Sequence, residues 1–241
     1  MSQNSPLDIS RCLLASFSTQ IFRYYEDRIP GDANVLVVSN HRSFMDALLL
    51  MTALSTPIRF ACHHYMGQVP LIKEIVTEQL GCFPLEKVQN RQQSFLIQSE
   101  KLLQSKQMVG VFPEGTQPMV KLTQPNQLGE FQRGFAHLAL RADVSDLAVL
   151  PVAIASLEEV NTTAFPTRLL SVFDPSEPLF QTPGWHPVVI YRRVAVLVGH
   201  PYWITSQDYK QYQGKQAKTV VNKLTQQCHS EIASLLRQGC Y

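Results

Sequence analysis

Long apolar runs are missing from this sequence. No stretch of about 18 apolar residues occurs, so no transmembrane helix is predicted. The N-terminus lacks the basic start and continuous apolar core of a signal peptide. Cysteine is sparse: Cys12, Cys62, Cys82, Cys228 and Cys240 form an odd, scattered set with no Cys-x-x-Cys. That pattern reads as a reduced, cytosolic-facing protein without a zinc site. His63-His64 has no Cys or carboxylate at metal-ligand spacing, so no metal centre is expected there either. Charge is thin, with 17% charged residues and a net charge of +2, too little to point to nucleic acid. It suits a mildly basic face toward anionic lipid or an acidic carrier. There is no Gly-x-Ser-x-Gly, hence no serine nucleophile on a strand-to-helix elbow. Internal repeats and low-complexity tracts are absent.

What is present is the alternation of an α/β chain. A length of 241 residues with 45% hydrophobic content suits one α/β domain, or at most two small ones. Periodicity predicts a helix over Leu7–Tyr25, with Ile9, Leu13, Phe17 and Ile21 at helical spacing. Two readings of residues 1–28 stay open. One is a helix packed on the core; the other is an amphipathic helix in a membrane interface, with Arg11, Arg23 and Arg28 near headgroups. Residues 29–241 read as a single domain.

Strands are predicted at Val35–Val38, Ile58–Cys62, Cys82–Leu85, Met108–Phe112, Leu147–Ala155, Val188–Ile190 and Val194–Val198, the last two as candidates to pair with each other. Helices are predicted over Ala47–Leu54, Leu71–Leu80, Arg91–Ser105, Phe135–Arg141 and Ala217–Leu236. This alternation predicts a mostly parallel central sheet flanked by helices, with ligands gathered at the carboxyl ends of strands.

The densest chemistry lies in residues 35–54, VLVVSNHRSFMDALLLMTAL. Ser43-x-x-Asp46 has the spacing of a capping box, with Ser43 as the cap and Asp46 at the third helical position. On that reading Asp46 needs no catalytic role. Positions five apart on a helix lie about 140° apart around the axis, so His41 meets Asp46 only from the preceding loop. The strand and cap signals place His41 in that loop. The cap reading and the His–Asp pair are therefore compatible. Glu114 follows the strand ending at Phe112, so it too lies beyond a strand end and is a candidate for the same site.

Asn40-His41-x4-Asp46, followed about 70 residues later by Phe112-Pro113-Glu114-Gly115-Thr116, resembles the glycerolipid acyltransferase family of the 1-acylglycerol-3-phosphate (lysophosphatidate) acyltransferase type. Gly81-Cys82-Phe83-Pro84-Leu85-Glu86-Lys87 and Val149-Leu150-Pro151-Val152-Ala153 are similar to two further family blocks. Phe131-Gln132-Arg133-Gly134-Phe135 and Val198-Gly199-His200-Pro201 match smaller signatures, and the resemblance covers roughly residues 30–238.

The resemblance implies a glycerol-phosphate acyltransferase-like fold. It implies transfer of a fatty acyl group from acyl-CoA or acyl carrier protein to a lysophospholipid hydroxyl, most simply lysophosphatidate to phosphatidate, with no other cofactor. It further implies a peripheral protein on the cytoplasmic face of a membrane. His41 is then the base and Asp46 its orienting acid. Lys87, Glu114, Gly115, Thr116 and Arg133 surround the acceptor and the developing charge. This division suits the chemistry, since a thioester is already activated and a positioned imidazole contributes about 10²- to 10⁴-fold by taking the hydroxyl proton. Each supporting residue also has a plain reading: Glu114 a turn residue, Arg133 a surface charge, Lys87 a solvated lysine.

Three positions depart from the common family pattern. His63 stands where a basic residue often follows the second strand, Lys87 replaces an Arg, and Gln117 replaces the Arg after Pro-Glu-Gly-Thr. Arg offers phosphate a rigid two-pronged donor, Lys a point charge and Gln no charge. Arg91, Lys121 and Arg133 are the candidates to compensate. The departures keep open a diester lysolipid or neutral lipid alcohol as acceptor. Other outcomes are thioester hydrolysis and a catalytically inactive lipid-binding scaffold.

Overall fold

Asn34–Ser39 (β2) is buried along its whole length. Val35 and Val37 pack into one core cluster, Leu36 and Val38 into another on the opposite face. A strand covered on both faces has no polar side to show, which is why Val35–Val38 is an unbroken apolar run. The computed structural model describes residues 5–68, 73–86, 89–115, 122–166, 181 and 184–239.

Among these, β2 is central in an eight-stranded sheet. One side of β2 carries β5 (Met108–Val111), β3 (Ile58–Cys62) and β4 (Phe83–Pro84). The other carries β6 (Leu147–Pro166), β7 (Trp185–Val198) and β1 (Gln20–Tyr24), with β8 (Tyr202–Trp203) also beside β6. All neighbours run parallel except β6 with β7 and β6 with β8.

Helices α1 (Pro6–Ser16) and α2 (Asp46–Ala53) cover one face, with Leu14, Leu49, Leu50 and Met51 in its core. Helices α3 (Arg91–Gln104), α4 (Gly134–Arg141) and α6 (Ala217–Gly239) cover the other, through Phe95, Leu103, Phe135, Leu224 and Ile232. The expected architecture, a mostly parallel central sheet flanked by helices, is the one observed. No helix among the described residues is long and apolar enough to cross a membrane.

The predicted helix over Leu7–Tyr25 is corrected: it ends at Ser16, and Gln20–Tyr24 forms β1, an edge strand parallel to β7. Ser18 takes a positive φ of 54° and turns the chain. Ile21 and Phe22 then pack on opposite core clusters. Adjacent apolar residues facing opposite ways suit a strand of period two, and sheet pairing overrides the weaker helical spacing. Val188–Ile190 and Val194–Val198 are not a pair of strands either. They are parts of one strand, β7, which pairs throughout with β6. Residues 191–193, between the two predicted runs, hold a register irregularity opposite Ser156–Glu159.

The described part of the predicted Leu71–Leu80 helix is a π-helical Glu74–Gln79; residues 71 and 72 lie outside the described residues. The eight-residue α5 (Ser206–Gln213) was not legible from periodicity because its apolar face is thin; a Thr205–Asp208 capping box starts it.

Strand β6 is far longer than β2. Their pairing ends at Ser39–Val152, but β6 runs on to Pro166 with β7 alongside. The β6–β7 ribbon therefore projects past the carboxyl end of β2, next to the loop that carries His41.

Candidate active site

Polar side chains tie down the loop between β2 and α2. The buried Asn40 side chain donates to Ile154 O at 2.9 Å and accepts from Ile154 N at 2.8 Å. A side-chain amide thus continues the β2–β6 ladder one residue past the strand. Ser43 Oγ donates to Val189 O on β7 at 2.6 Å and accepts from Met45 N at 3.1 Å.

Asp46 is fully buried and is the first residue of α2, not its third helical position as predicted. Its Oδ2 accepts from Arg42 N at 2.7 Å and Ser43 N at 2.8 Å, and meets His41 Nδ1 at 2.9 Å. The carboxylate ties down the loop amides and faces the imidazole with the same oxygen, so the His–Asp pair holds, whereas the capping box is corrected: the N-cap of α2 is Met45, with no side-chain cap. A carboxylate has no proton to give, so Nδ1 carries the hydrogen and Nε2 keeps its lone pair. The plane of the ring is set by stacking. His41 lies on Phe112 at 4.1 Å and 12°, and Phe112 lies on Phe60 at 5.0 Å and 7°.

Glu114 comes from the turn after β5, parallel to β2 in the sheet, and is 7% exposed. Oε1 accepts from His41 N at 3.0 Å and Oε2 from Gly129 N at 2.6 Å. Burial pushes this carboxyl above its ordinary pKa, and the two amide donors from Gly129 and His41 oppose that shift. Glu114 thereby braces the backbone of the proposed base against a loop 15 residues further on. That loop needs a glycine: a Cβ at Gly129 lies 2.8 Å from Glu114 Oε2. Gly115 has a φ of +70°, and its N–H closes the turn onto Phe112 O at 3.1 Å. The amide is already engaged, so Gly115 has no N–H left to give to the developing charge that the resemblance sets it beside.

Thr116, Lys87, Gln117 and Lys121 lie outside the described residues. Arg133 is exposed at the N-cap of α4. Its chain neighbour Gln132 donates from N to Pro113 O at 2.8 Å, which sets Arg133 beside the Pro113–Gly115 turn. Arg91 Nη2 reaches His63 Nε2 at 3.2 Å. The guanidinium can only donate, so it brings a permanent cation to the position where the family commonly has one and this chain has His63.

Sequence reasoning missed Arg42, inside the His–Asp spacing. Its guanidinium is buried and grips Glu159 of β6 through Nη1 at 2.7 Å and Nη2 at 3.0 Å. It also donates to Thr123 O at 2.6 Å and Thr123 Oγ1 at 3.2 Å. Burial works against the Arg42 charge, and the Glu159 hydrogen bond together with the charges of Tyr191, Glu159 and Asp46 more than offsets it. No local signal joins residues 117 positions apart.

The site as built is an oriented imidazole at the carboxyl end of a parallel sheet, where α/β folds bind ligands. It can accept a proton from a bound hydroxyl, and it has basic residues near by for an anionic group.

A model of the acyltransferase family matches residues 21–155, more than half of the chain. A 1-acyl-sn-glycerol-3-phosphate acyltransferase of Borreliella burgdorferi is 23% identical over 131 residues, covering 53% of this chain and 48% of its own. The chloroplastic 1-acyl-sn-glycerol-3-phosphate acyltransferase of Arabidopsis thaliana is 27% identical over 154 residues, covering 61% and 40% respectively. The chain thus spans about half the length, or less, of these curated relatives. The crystal structure of the 1-acyl-sn-glycerophosphate acyltransferase PlsC from Thermotoga maritima superposes with a TM-score of 0.54 at 19% identity, over 91% of this chain and 78% of that one. At that identity the likeness shows a shared fold. The matched span contains the His41–Asp46 pair, the Glu114 brace and every parallel strand between them, and the chain belongs to the acyltransferase family.

Proposed function

We propose that this chain transfers a fatty acyl group from an acyl thioester, acyl-CoA or acyl carrier protein, to the free hydroxyl of a lysophospholipid. Lysophosphatidate, giving phosphatidate, is the leading acceptor. The observation that carries this reading is the 2.9 Å contact between His41 Nδ1 and Asp46 Oδ2, which leaves Nε2 as the base. In the proposed step Nε2 takes the acceptor's O–H proton as its oxygen bonds to the thioester carbonyl carbon. Collapse of the tetrahedral intermediate breaks the C–S bond, and the imidazolium protonates the departing sulfur. Asp46 keeps the ring in the right tautomer and stabilises its cation. Glu114 holds the His41 backbone, and holding both substrates together supplies much of the remaining acceleration.

The acceptor follows the activity for which the relatives are named and is supported by Arg91 at His63. Lys87 and Arg133 are the further candidate phosphate ligands, with Gly115 and Thr116 as further candidates beside the acceptor. The enzyme would work at the cytoplasmic membrane surface, where its acceptor and product reside. A second reading, a diester lysolipid or neutral lipid alcohol as acceptor, is favoured by Gln117, which removes a cation from the Pro-Glu-Gly-Thr block.

The test is transfer of a labelled acyl group from CoA and from carrier protein to lysophosphatidate, lysophosphatidylcholine and monoacylglycerol. Phosphatidate as main product is expected. A charge-assisted hydrogen bond contributes roughly 1.5–3 kcal/mol, so Arg91→Ala should cost about ten- to a hundredfold in kcat/KM for lysophosphatidate and little for monoacylglycerol. Transfer to monoacylglycerol alone overturns the acceptor; free fatty acid alone means a hydrolase; no turnover with any pair overturns the enzymatic reading.

A further inference from the structure

Asp46 Oδ2 takes three donors, but Asp46 Oδ1 is buried and takes none. Leaving one oxygen of a buried carboxylate bare is costly. Tyr191 presents the complementary anomaly. It is 1% exposed, and its Oη is also buried without a hydrogen-bond partner. Both belong to the cluster where β7 meets the His41–Asp46 loop, since Val189 O takes the hydroxyl of Ser43, whose N–H binds Asp46. The Asp46 carboxylate is, after burial itself, the main reason the Tyr191 phenol lies well above its ordinary pKa.

Tyr191 is held in this position from several sides. It pairs with Glu159 in the β6–β7 register, and Glu159 grips Arg42, whose N–H binds Asp46. Val189, two residues earlier on the same strand face, receives the Ser43 hydroxyl. Thr19 Oγ1 donates to Tyr191 O at 2.9 Å. The His41–Asp46 loop is thus tied to β7 through Ser43 and to the neighbouring β6 through Arg42, and Tyr191 itself is tied to Thr19, just before β1.

We infer that Tyr191 is a positioning residue for acyl transfer, its Oη donating to Asp46 Oδ1 so that the carboxylate facing His41 is held through both oxygens. The inference rests on the acyl-transfer reading of the site. Its consequence is a tuned dyad. A phenol donor draws charge from Asp46, so the carboxylate orients the imidazole without holding its proton too tightly. The charged groups around the pair are His41 and Arg42 from the loop, Glu114 from the β5 turn and Glu159 from β6.

Tyr191→Phe keeps the ring and removes the donor. With lysophosphatidate and acyl-CoA, kcat should fall about tenfold while both KM values stay unchanged. The acid limb of the kcat–pH profile should move to higher pH, because a more negative Asp46 retains the imidazolium longer. A purely structural role leaves that limb in place, so a wild-type limb in folded Tyr191→Phe overturns the inference. If Tyr191→Phe does not fold, 3-fluorotyrosine at position 191 is used instead. It is a stronger donor and should move the limb to lower pH; an unmoved limb again overturns the inference. His41→Ala run in parallel separates the two ideas. A dead His41→Ala with a silent Tyr191 substitution strikes the inference alone, whereas an active His41→Ala removes the base and the inference with it.

Discussion

Glu114, carried by the turn after β5, accepts the main-chain N–H of His41 at 3.0 Å. The acid of one family block is therefore the structural support of the proposed base in another, 73 residues away. The two blocks behave as one object, whose chemistry and support can be separated by mutation.

His41→Ala should remove acyl transfer with the fold intact, a loss of about 10²- to 10⁴-fold in kcat, since the ring is the proposed proton acceptor and contributes little to the core. Asp46→Asn should be of similar severity, because Asn can hold the imidazole in the wrong tautomer. Steady-state kinetics beside a thermal melt provide the check. Wild-type turnover by well-folded His41→Ala sinks the mechanism.

Glu114→Gln should lower stability as well as activity. One amide donor keeps an oxygen acceptor, and the other meets an NH2 group. A buried donor left unsatisfied costs about 1–3 kcal/mol. For a chain of this size each kcal/mol lowers Tm by roughly 2–4 °C. A residue that only touches the acceptor would raise KM and leave Tm alone, so an unchanged melting point refutes the brace.

The Arg42–Glu159 pair predicts an acid-labile loop. Burial raises the Glu159 pKa, but the Arg42 hydrogen bond and charge, together with hydrogen bonds from Ser156 and Asn161, outweigh it and the net shift is downward. A depressed folded pKa means the stabilisation is present above the ordinary carboxylate value of 4.5 and is lost as pH falls below it. Glu159→Gln should be destabilised at neutral pH, by about 3–5 kcal/mol if the guanidinium is left uncompensated. Its stability should then fall less steeply than wild type below the carboxylate range. Parallel acid-titration curves for the two proteins contradict this assignment.

Deleting residues 1–28 should damage the fold rather than simply release the protein from lipid. The deletion removes β1 from the edge of β7 and exposes the side of α2 that Leu14 covers. Loss of the cooperative thermal transition is expected. A truncated protein that melts like the full chain but no longer floats with anionic liposomes would restore the reading of this segment as a membrane anchor.

Much of the site was legible because it is built from local signals. Val35–Val38 reads as a buried strand, Ser43-x-x-Asp46 as a helix start, and the residues between must then be a loop at a strand's carboxyl end. The Pro113-Glu114-Gly115 turn after Met108–Val111 was legible for the same reason. The order of helices and strands sufficed for a mostly parallel sheet.

Tertiary structure alone decided the rest. Phe17-x3-Ile21 satisfies helical spacing, and only the open edge of β7 makes residues 20–24 a strand. Arg42, Glu159 and Tyr191 looked like unrelated residues because they meet through sheet register, and a one-residue slip of β6 on β7 would turn them to opposite faces. The sequence by itself determined which groups are candidates for the chemistry, since His41, Asp46 and Glu114 all fall just beyond strand ends; that Glu114 braces the His41 backbone, where an acceptor contact was expected, came only with the tertiary structure. What surrounds that chemistry, the buried guanidinium and the phenol behind Asp46, was decided by the pairing of distant strands, because hydrogen bonds between residues more than 100 positions apart leave no periodicity in the chain.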